Sequence, residues 1–376
     1  MSESAPIVVA LSGGVDSATC AGLLVEAGER VVGISMRLYS AGSAPVEGGR
    51  CCGPRDLEDA RAVCAHLGIP FYVANYEEDF RRAVMDDFAA TYREGKTPNP
   101  CVRCNQYIKF TPLLLRARAL GARALATGHY ARIEHDVDGN PRLLRGVDTG
   151  KDQSYFLFAM PKDALSFVRF PLGGMTKEEV RAHAKRLGLP NADKQESQEV
   201  CFVPDGDYAH FIERYVPAAA GSETAAQGEA AALAGEVVDE QGAVLGEHAG
   251  IHRYTVGQRR GLGNEVAAAG DGEPRYVIRI DALTRRIHVG RKESLLRDEA
   301  LVSEPHWLGP VPAAGTEIEA GVQIRYRRKP QAARLRLRED GQVAVHFAAA
   351  EHAITPGQAA VFYQGDHVLG GGFLAA

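Results

Sequence analysis

The stretch "IVVALSGGVDS" (7–17) constrains the fold more than any other part of the chain. Its five leading apolar residues read as a short buried strand, and two adjacent glycines end it. "SATCAGLLVEAG" (17–28) then carries helical spacing as far as Gly28. A strand that turns through glycines straight into a helix lets a ligand approach the backbone closely, because no Cβ stands in the way. The helix start adds unpaired N–H groups and the positive end of its dipole, which suit pyrophosphate. Ser12 and Ser17 supply hydroxyl donors, and Asp16 is a candidate ligand for Mg²⁺ or a polarised water. The loop has neither the Gly-Lys-Ser/Thr of a Walker A motif nor the G-x-G-x-x-G of a dinucleotide fold. A plain strand-turn-helix joint, with glycines serving only the turn, is the bland alternative.

The pattern of this first unit repeats. "VVGISM" (31–36), "IPFYVA" (69–74) and "RALATGH" (123–129) read as further strands. "DLEDARAVCAHLG" (56–68), "TPLLLRARALG" (111–121) and "MTKEEVRAHAKRLGLP" (175–190) read as helices, the last opened by a Thr176/Glu179 capping box. Strands alternating with helices predict an α/β fold: a doubly wound parallel sheet with helices on both faces.

After about residue 215 the texture changes. "VPAAAGSETAAQGEAAALAG" (216–235) reads as an Ala/Gly-rich linker or insertion. Short alternating runs with Gln-Gly and Asp-Gly turns follow, from "GEVVDEQGAVLG" to "QAAVFYQGDHVLGGGFL", and predict antiparallel structure and a small barrel. The expected domains are 1–215 (catalytic, parallel sheet), 216–297 (small, central, mostly β) and 298–376 (C-terminal antiparallel β-barrel).

With 376 residues the chain can hold two or three domains. A net charge of −5 gives no global field for nucleic acid, so RNA binding needs local patches. The N-terminus lacks a positive segment ahead of its apolar run, and no stretch is long enough to span a membrane. The seven cysteines, odd in number and without secreted-scaffold spacing, point to a reducing cytoplasm in which selected thiols do chemistry.

Cys20 and Cys64 fall on apolar helical stripes and read as core residues, while Cys51 and Cys52 sit in a Gly-rich loop with no zinc spacing around them. Cys101 and Cys104 of "NPCVRCN" (99–105) lie between a Pro-rich turn and a helix, near Arg103 and Lys109. Cys201 in "ESQEVCFVPDGD" is the third candidate. A zinc site would need a second pair of ligands. An iron–sulfur cluster would need to recruit Cys51 or Cys52 together with Cys201. Disulfide exchange needs only two thiols brought together in space.

Six motifs occur in register: "SGGVDS", "GKTPNPCVRCNQYIKF" (95–110), "ATGHYAR" (126–132), "KDQSYFL" (151–157), "SQEVCFV" (197–203) and "YTVGQRRGLG" (254–263). The loop resembles that of the ATP-pyrophosphatases, and the whole set resembles the tRNA-specific 2-thiouridylases (the MnmA/TrmU family) over nearly the full chain. The resemblance implies an adenine-nucleotide α-hydrolase-like catalytic domain, with ATP and Mg²⁺ as cofactors. ATP would bind at Ala10, Leu11, Ser12, Gly13, Gly14, Val15, Asp16 and Ser17, with Met36 near the adenine and Gly128 closing over the nucleotide. It implies Cys201 as the persulfide carrier, loaded by a cysteine desulfurase or relay protein, and Cys104 as the nucleophile that forms a disulfide with it or frees hydrosulfide. The substrate would be the anticodon stem-loop of tRNA, met by Asn99, Pro100 and Cys101 at the target base and by Lys151, Asp152, Gln153, Arg325 and Tyr326 elsewhere. "RYRRKP" (325–330) and the stretch 279–292 supply basic residues for its backbone. His129 stands near the nucleotide as an assistant or a structural residue. One departure is clear. Cys101 occupies the place of the family's common Asp, so a C-x-x-C arises whose spacing reads as incidental.

Overall fold

A computed structural model describes residues 5–39, 53–195, 200–203, 206–215, 233–263, 266 and 273–375. Cys51, Cys52 and most of the Ala/Gly-rich stretch (216–232) lie outside the described residues. The first part runs β1 (Ile7–Ala10), α1 (Val15–Glu26), β2 (Val31–Arg37), α2 (Pro54–Leu67), β3 (Phe71–Asn75), α3 (Glu77–Phe80), α4 (Asp87–Arg93), α5 (Pro100–Cys104), α6 (Leu114–Ala119) and β4 (Ala124–Thr127). A hairpin of β5 (Ala131–His135) and β6 (Pro141–Arg145) follows, then β7 (Val168–Arg169), α7 (Lys177–Arg186) and α8 (Tyr208–Arg214). The central part holds β8 (Gly235–Val238), β9 (Val244–His248), β10 (Tyr276–Asp281) and β11 (Arg286–Gly290). The last part holds β12 (Leu296–Trp307), β13 (Glu317–Gln323), β14 (Gln331–Leu337), β15 (Val343–His352), β16 (Ala359–Gln364) and β17 (His367–Leu374).

The expected parallel sheet is present, in the order β3-β2-β1-β4-β7. Its centre is β1, where Ile7, Val8 and Val9 are fully buried, as a strand covered by helices on both faces requires. Burial pushes the Cys64 thiol up to about 11 and raises that of Cys20 further, in keeping with inert core residues. The Thr176/Glu179 capping box forms: Glu179 N–H donates to Thr176 Oγ1 at 3.3 Å, and Thr176 N–H to Glu179 Oε2 at 2.7 Å.

Three features differ from the sequence reading. The helix expected from Thr111 begins at Pro100, so "PCVRC" is its first turn, not a loop before it. Pro112 lies inside, and the wider-wound stretch Asn105–Leu113 accommodates a residue that has no N–H to donate. In the central sheet, ordered β10-β11-β8-β9, the β8/β11 pair is parallel, although the hairpins on either side are antiparallel as expected. The C-terminal barrel closes because β12 pairs with both β15 and β17, and it also receives a guest. The β5–β6 hairpin joins β17 at Leu144↔His367, tying the catalytic region to the barrel. Its sequence, "ARIEHDVDGNPRLLR", alternates around an Asp-Gly turn and was readable as a hairpin.

Candidate active site at the carboxyl edge of the parallel sheet

Strand β1 lies between β2 and β4, the point where strand order reverses and a crevice opens at the carboxyl ends. The chain leaves β1 at Leu11, whose N–H donates to Ile34 O (2.9 Å) and whose carbonyl accepts from Ser35 Oγ (2.7 Å). The two serines then close the loop: Ser12 N–H donates to Ser17 Oγ (3.1 Å), and Ser17 Oγ–H to Gly14 O (3.0 Å). Gly13 adopts φ +75°, and a Cβ there would lie 2.3 Å from Asp56 O. Gly14 caps α1 without a side-chain cap of its own, its N–H donates to Ser12 Oγ (3.4 Å), and the first-turn N–H groups of the helix have no intrahelical partner. From behind, Asn191 Nδ2 (3.0 Å) and Lys194 Nζ (3.2 Å) donate to Gly13 O. Lys194 also pairs with Asp56 and Asp59. Gly128, just after β4, would bring a Cβ within 2.8 Å of Asp16 C and Ser17 N; only glycine lets this wall touch the start of α1. Met36 sits at the same edge but is 6% exposed, packed with Ile34, Leu38 and Tyr39.

Asp16 has a role that the sequence does not disclose. Its Oδ1 accepts from Lys177 Nζ (2.6 Å) and from the Tyr130 hydroxyl (2.9 Å). The carboxylate expected on Mg²⁺ is therefore already neutralised by a lysine from α7. Among the described residues no group of three or more His, Cys, Asp or Glu is placed to hold a metal ion. These donors do not fit a protein-built Mg²⁺ site. His129 is kept neutral, first by burial and then by the Lys109 charge; its Nδ1 lies 2.7 Å from Thr127 Oγ1 and its ring packs on Phe110 and Phe170.

The thiols differ in setting. Cys101 is exposed, whereas Cys104, one turn on, is 8% exposed within the core cluster that also packs Cys201. The Cys201 carbonyl accepts from the hydroxyl of Tyr39 (2.9 Å), just beyond β2, which ties it to the carboxyl edge of the sheet. The Cys104 helix reaches the same edge through Phe110 and His129. Arg103, near Cys104 in sequence, turns away from it. Its guanidinium meets Glu304 of the barrel (3.0 and 3.3 Å) and Asp87 (3.5 Å), and lies 4.1 Å from the Phe373 ring centroid. Thr97 is held from both other domains, by Thr255 Oγ1 (3.3 Å) and by Pro356 O (2.8 Å), and Gln358 Nε2 bonds the carbonyls of Thr97 and Pro98.

The expected RNA contacts divide. Asn99 is buried near Tyr155, whose hydroxyl donates to Ala359 O (2.9 Å). Asn105 donates to Phe156 O (2.9 Å), and Phe156 packs 4.5 Å from Tyr326. Pro100 opens the thiol helix and Tyr326 packs on Phe156 beside it; burial raises the Tyr326 hydroxyl, with the Lys151 charge a minor opposing influence. Asp152 is different: it is buried, and its carboxylate accepts from Arg145 Nε (2.8 Å), Gly146 N–H (3.0 Å) and Ser154 N–H (3.1 Å). It shapes the "KDQSY" turn and does not face outward. Gln153 Oε1 accepts from Tyr130 N–H (3.0 Å), so this amide also braces the fold. Arg325 is committed to Ala353 O (3.1 Å), Thr355 Oγ1 (2.9 Å) and Val256 O (3.5 Å), latching the barrel to the central domain. In the stretch 279–292, Arg286 pairs with Glu236 (2.8 Å) and Arg279 with His288 and Asp281. Asn191, Lys194, Lys177 and Glu304 were missed, and Arg103 was read only as a neighbour of the thiols, because their partners are distant in sequence and no local pattern marks them.

Comparisons with known proteins agree along the whole chain. Residues 5–205 match the family model described as "tRNA methyl transferase HUP domain", 225–291 the "tRNA methyl transferase PRC-barrel domain", and 297–374 the "Aminomethyltransferase beta-barrel domain". The chain is 51% identical to the "tRNA-specific 2-thiouridylase MnmA" of Geobacter metallireducens, with 98% of this chain and 96% of that protein covered. Identity to the protein of the same name from Geotalea uraniireducens is 49%, covering 98% and 94%. For Magnetococcus marinus it is 48%, with both chains covered in full. The chain belongs to the tRNA-specific 2-thiouridylase family of tRNA-modifying sulfurtransferases.

Proposed function

We propose that this protein replaces the 2-oxygen of the wobble uridine of tRNA with sulfur, in an ATP-dependent reaction fed by a cysteine persulfide. The observation that carries this reading is the convergence of three sequence-distant parts on one sheet edge: the loop Leu11–Ser17, the Cys104 helix, and Cys201 tethered by Tyr39. The helix-start N–H groups and Ser12, Gly13 and Gly14 suit the phosphates of ATP, and Gly128 closes that wall. Lys177, held beside the loop by Asp16, supplies an ammonium donor next to the phosphate loop.

The uridine 2-oxygen attacks the α-phosphate and becomes part of a leaving AMP. Cys201 receives a persulfide from a cysteine desulfurase or relay protein. Cys104 attacks the Cys201 sulfur, hydrosulfide departs and displaces AMP at C2, and a Cys104–Cys201 disulfide remains. A base in an anticodon loop unstacks cheaply, and we assign its contact to the turn Asn99, Pro100 and Cys101, of which Cys101 is exposed. Lys151 and Tyr326 extend that surface toward the RNA backbone. We assign catalysis to 1–215 and support of the thiol helix and RNA to 216–297 and 298–376. A cytoplasmic setting suits reduced thiols; no helix among the described residues is long and apolar enough to cross a membrane.

The family-model descriptions name methyl transfer as a second reading. Protein, ATP, a persulfide donor and unmodified tRNA distinguish the two. Thiolation releases pyrophosphate only with tRNA present and yields 2-thiouridine by nucleoside mass spectrometry. A methylated nucleoside, or no pyrophosphate, overturns the proposal.

A further inference from the structure

We propose that Cys101 is the resolving thiol of this enzyme: it opens the spent Cys104–Cys201 disulfide and passes the oxidation to the surface. The inference rests on the disulfide-forming route proposed above. That route ends with both working thiols bonded to one another, so Cys201 accepts no new persulfide until the bond is broken. Cys104 is 8% exposed within an apolar cluster that includes Val102, Ile108 and Phe110. Thiol–disulfide exchange needs access of the attacking sulfur to the disulfide, and this packing shields the Cys104 sulfur from a protein reductant; the Cys201 sulfur is only partly buried, so Cys101 offers the exposed route to Cys104 and not the sole route to the bond. Cys101 is exposed and one helical turn before Cys104. Residues three apart on a helix have Cβ atoms about 5–6 Å apart. A disulfide closes at about 3.5–4.5 Å between Cβ atoms, so a small adjustment of the first turn suffices.

In the exchange, the Cys101 thiolate attacks Cys104 Sγ. The Cys101–Cys104 bond forms, the Cys104–Cys201 bond breaks, and its electron pair leaves on Cys201, which takes up the proton that Cys101 gave up. An external protein dithiol then attacks the exposed Cys101 Sγ, and Cys104 leaves as thiolate. The second thiol of the donor releases Cys101, and the donor departs as its own disulfide, having supplied both electrons. The C-x-x-C spacing, which reads as incidental in the sequence, thereby has a use.

The test alkylates the wild-type protein before and after a single turnover and maps its disulfides by mass spectrometry. The expected result is a Cys101–Cys104 disulfide with alkylated Cys201, present only after turnover. With thioredoxin as the protein dithiol, Cys101→Ser should lower the ratio of steady-state to first-turnover rate at least tenfold. A small phosphine should restore that ratio, which a merely structural role for Cys101 would not allow. An unchanged ratio in Cys101→Ser, or a persistent Cys104–Cys201 disulfide in the wild type, overturns the resolving role alone. If 2-thiouridine forms while all three thiols remain alkylatable, the underlying disulfide route fails with it.

Discussion

Around Gly13 every brace comes from the catalytic domain: Asp56, Asn191 and Lys194 from behind, Gly128, Tyr130 and Lys177 from the sides. Around Cys104 the braces come from three domains: Thr255 of the central sheet, Glu304, Pro356, Gln358 and Phe373 of the barrel, and Tyr155 and Phe156 of the catalytic part. The half of the site proposed to hold the nucleotide is therefore braced within one domain, whereas the half proposed to carry sulfur is braced by all three. Adenylation and sulfur transfer should respond differently to damage at the domain contacts.

The largest effect is expected at the loop. Gly13→Ala forces a Cβ against the Asp56 carbonyl in a backbone region that favours glycine, and a misplaced phosphate loop costs about a hundredfold or more. Pyrophosphate release and thiolation should fall together. Arg103→Ala should separate them. It removes the guanidinium that joins the thiol helix to Glu304 and Phe373 and leaves Asp87, whose carboxyl burial already raises, without its counter-charge. Sulfur transfer should fall roughly tenfold to a hundredfold while pyrophosphate release stays within about twofold. Glu304→Gln should cost under about 1 kcal/mol of stability, because Glu304 is 61% exposed.

Two neighbours sharpen the same contrast in the RNA-facing turn. Asp152→Ala removes a buried acceptor from Arg145 and should cost about 3–5 kcal/mol, visible as a lowered Tm. Lys151→Ala should leave Tm in place, weaken tRNA binding, and lower the salt slope by about one. The smallest effect is on pH. Burial, ahead of other causes, depresses His129, His252 and His306 below the ordinary histidine range. Below about pH 6.5 the unfolded chain takes up protons that the native histidines refuse, so their stabilisation is complete above that pH and is lost as pH falls. Tm should decline on acidification through this window, and less steeply in His129→Gln.

This contrast also explains what the sequence discloses. The parallel sheet, the loop and the Thr176/Glu179 cap are legible because strand, turn and helix signals are local and contiguous. The barrel is legible as alternating runs, yet the attachment of the β5–β6 hairpin to it and the parallel β8/β11 pair are not, since pairing partners leave no mark in a single strand. The same limit governs the site. Ser12, Gly13 and Gly14 stand out by their pattern, whereas the commitment of Asp16 to Lys177 spans 161 positions and that of Arg103 to Glu304 spans 201. Asp152 and Arg325 were expected at tRNA from the family resemblance; in the fold Asp152 is buried on Arg145, Gly146 and Ser154, and the half-buried Arg325 bonds Ala353, Thr355 and Val256, commitments that no local pattern discloses.

The most direct test loads Cys201 with a ³⁵S-labelled persulfide and follows a single turnover with ATP and unmodified tRNA. The account predicts label in 2-thiouridine, one pyrophosphate per labelled base, and no transfer by Cys104→Ser even though its ATP is still cleaved. Label transfer without ATP, or undiminished transfer in Cys104→Ser, would contradict it.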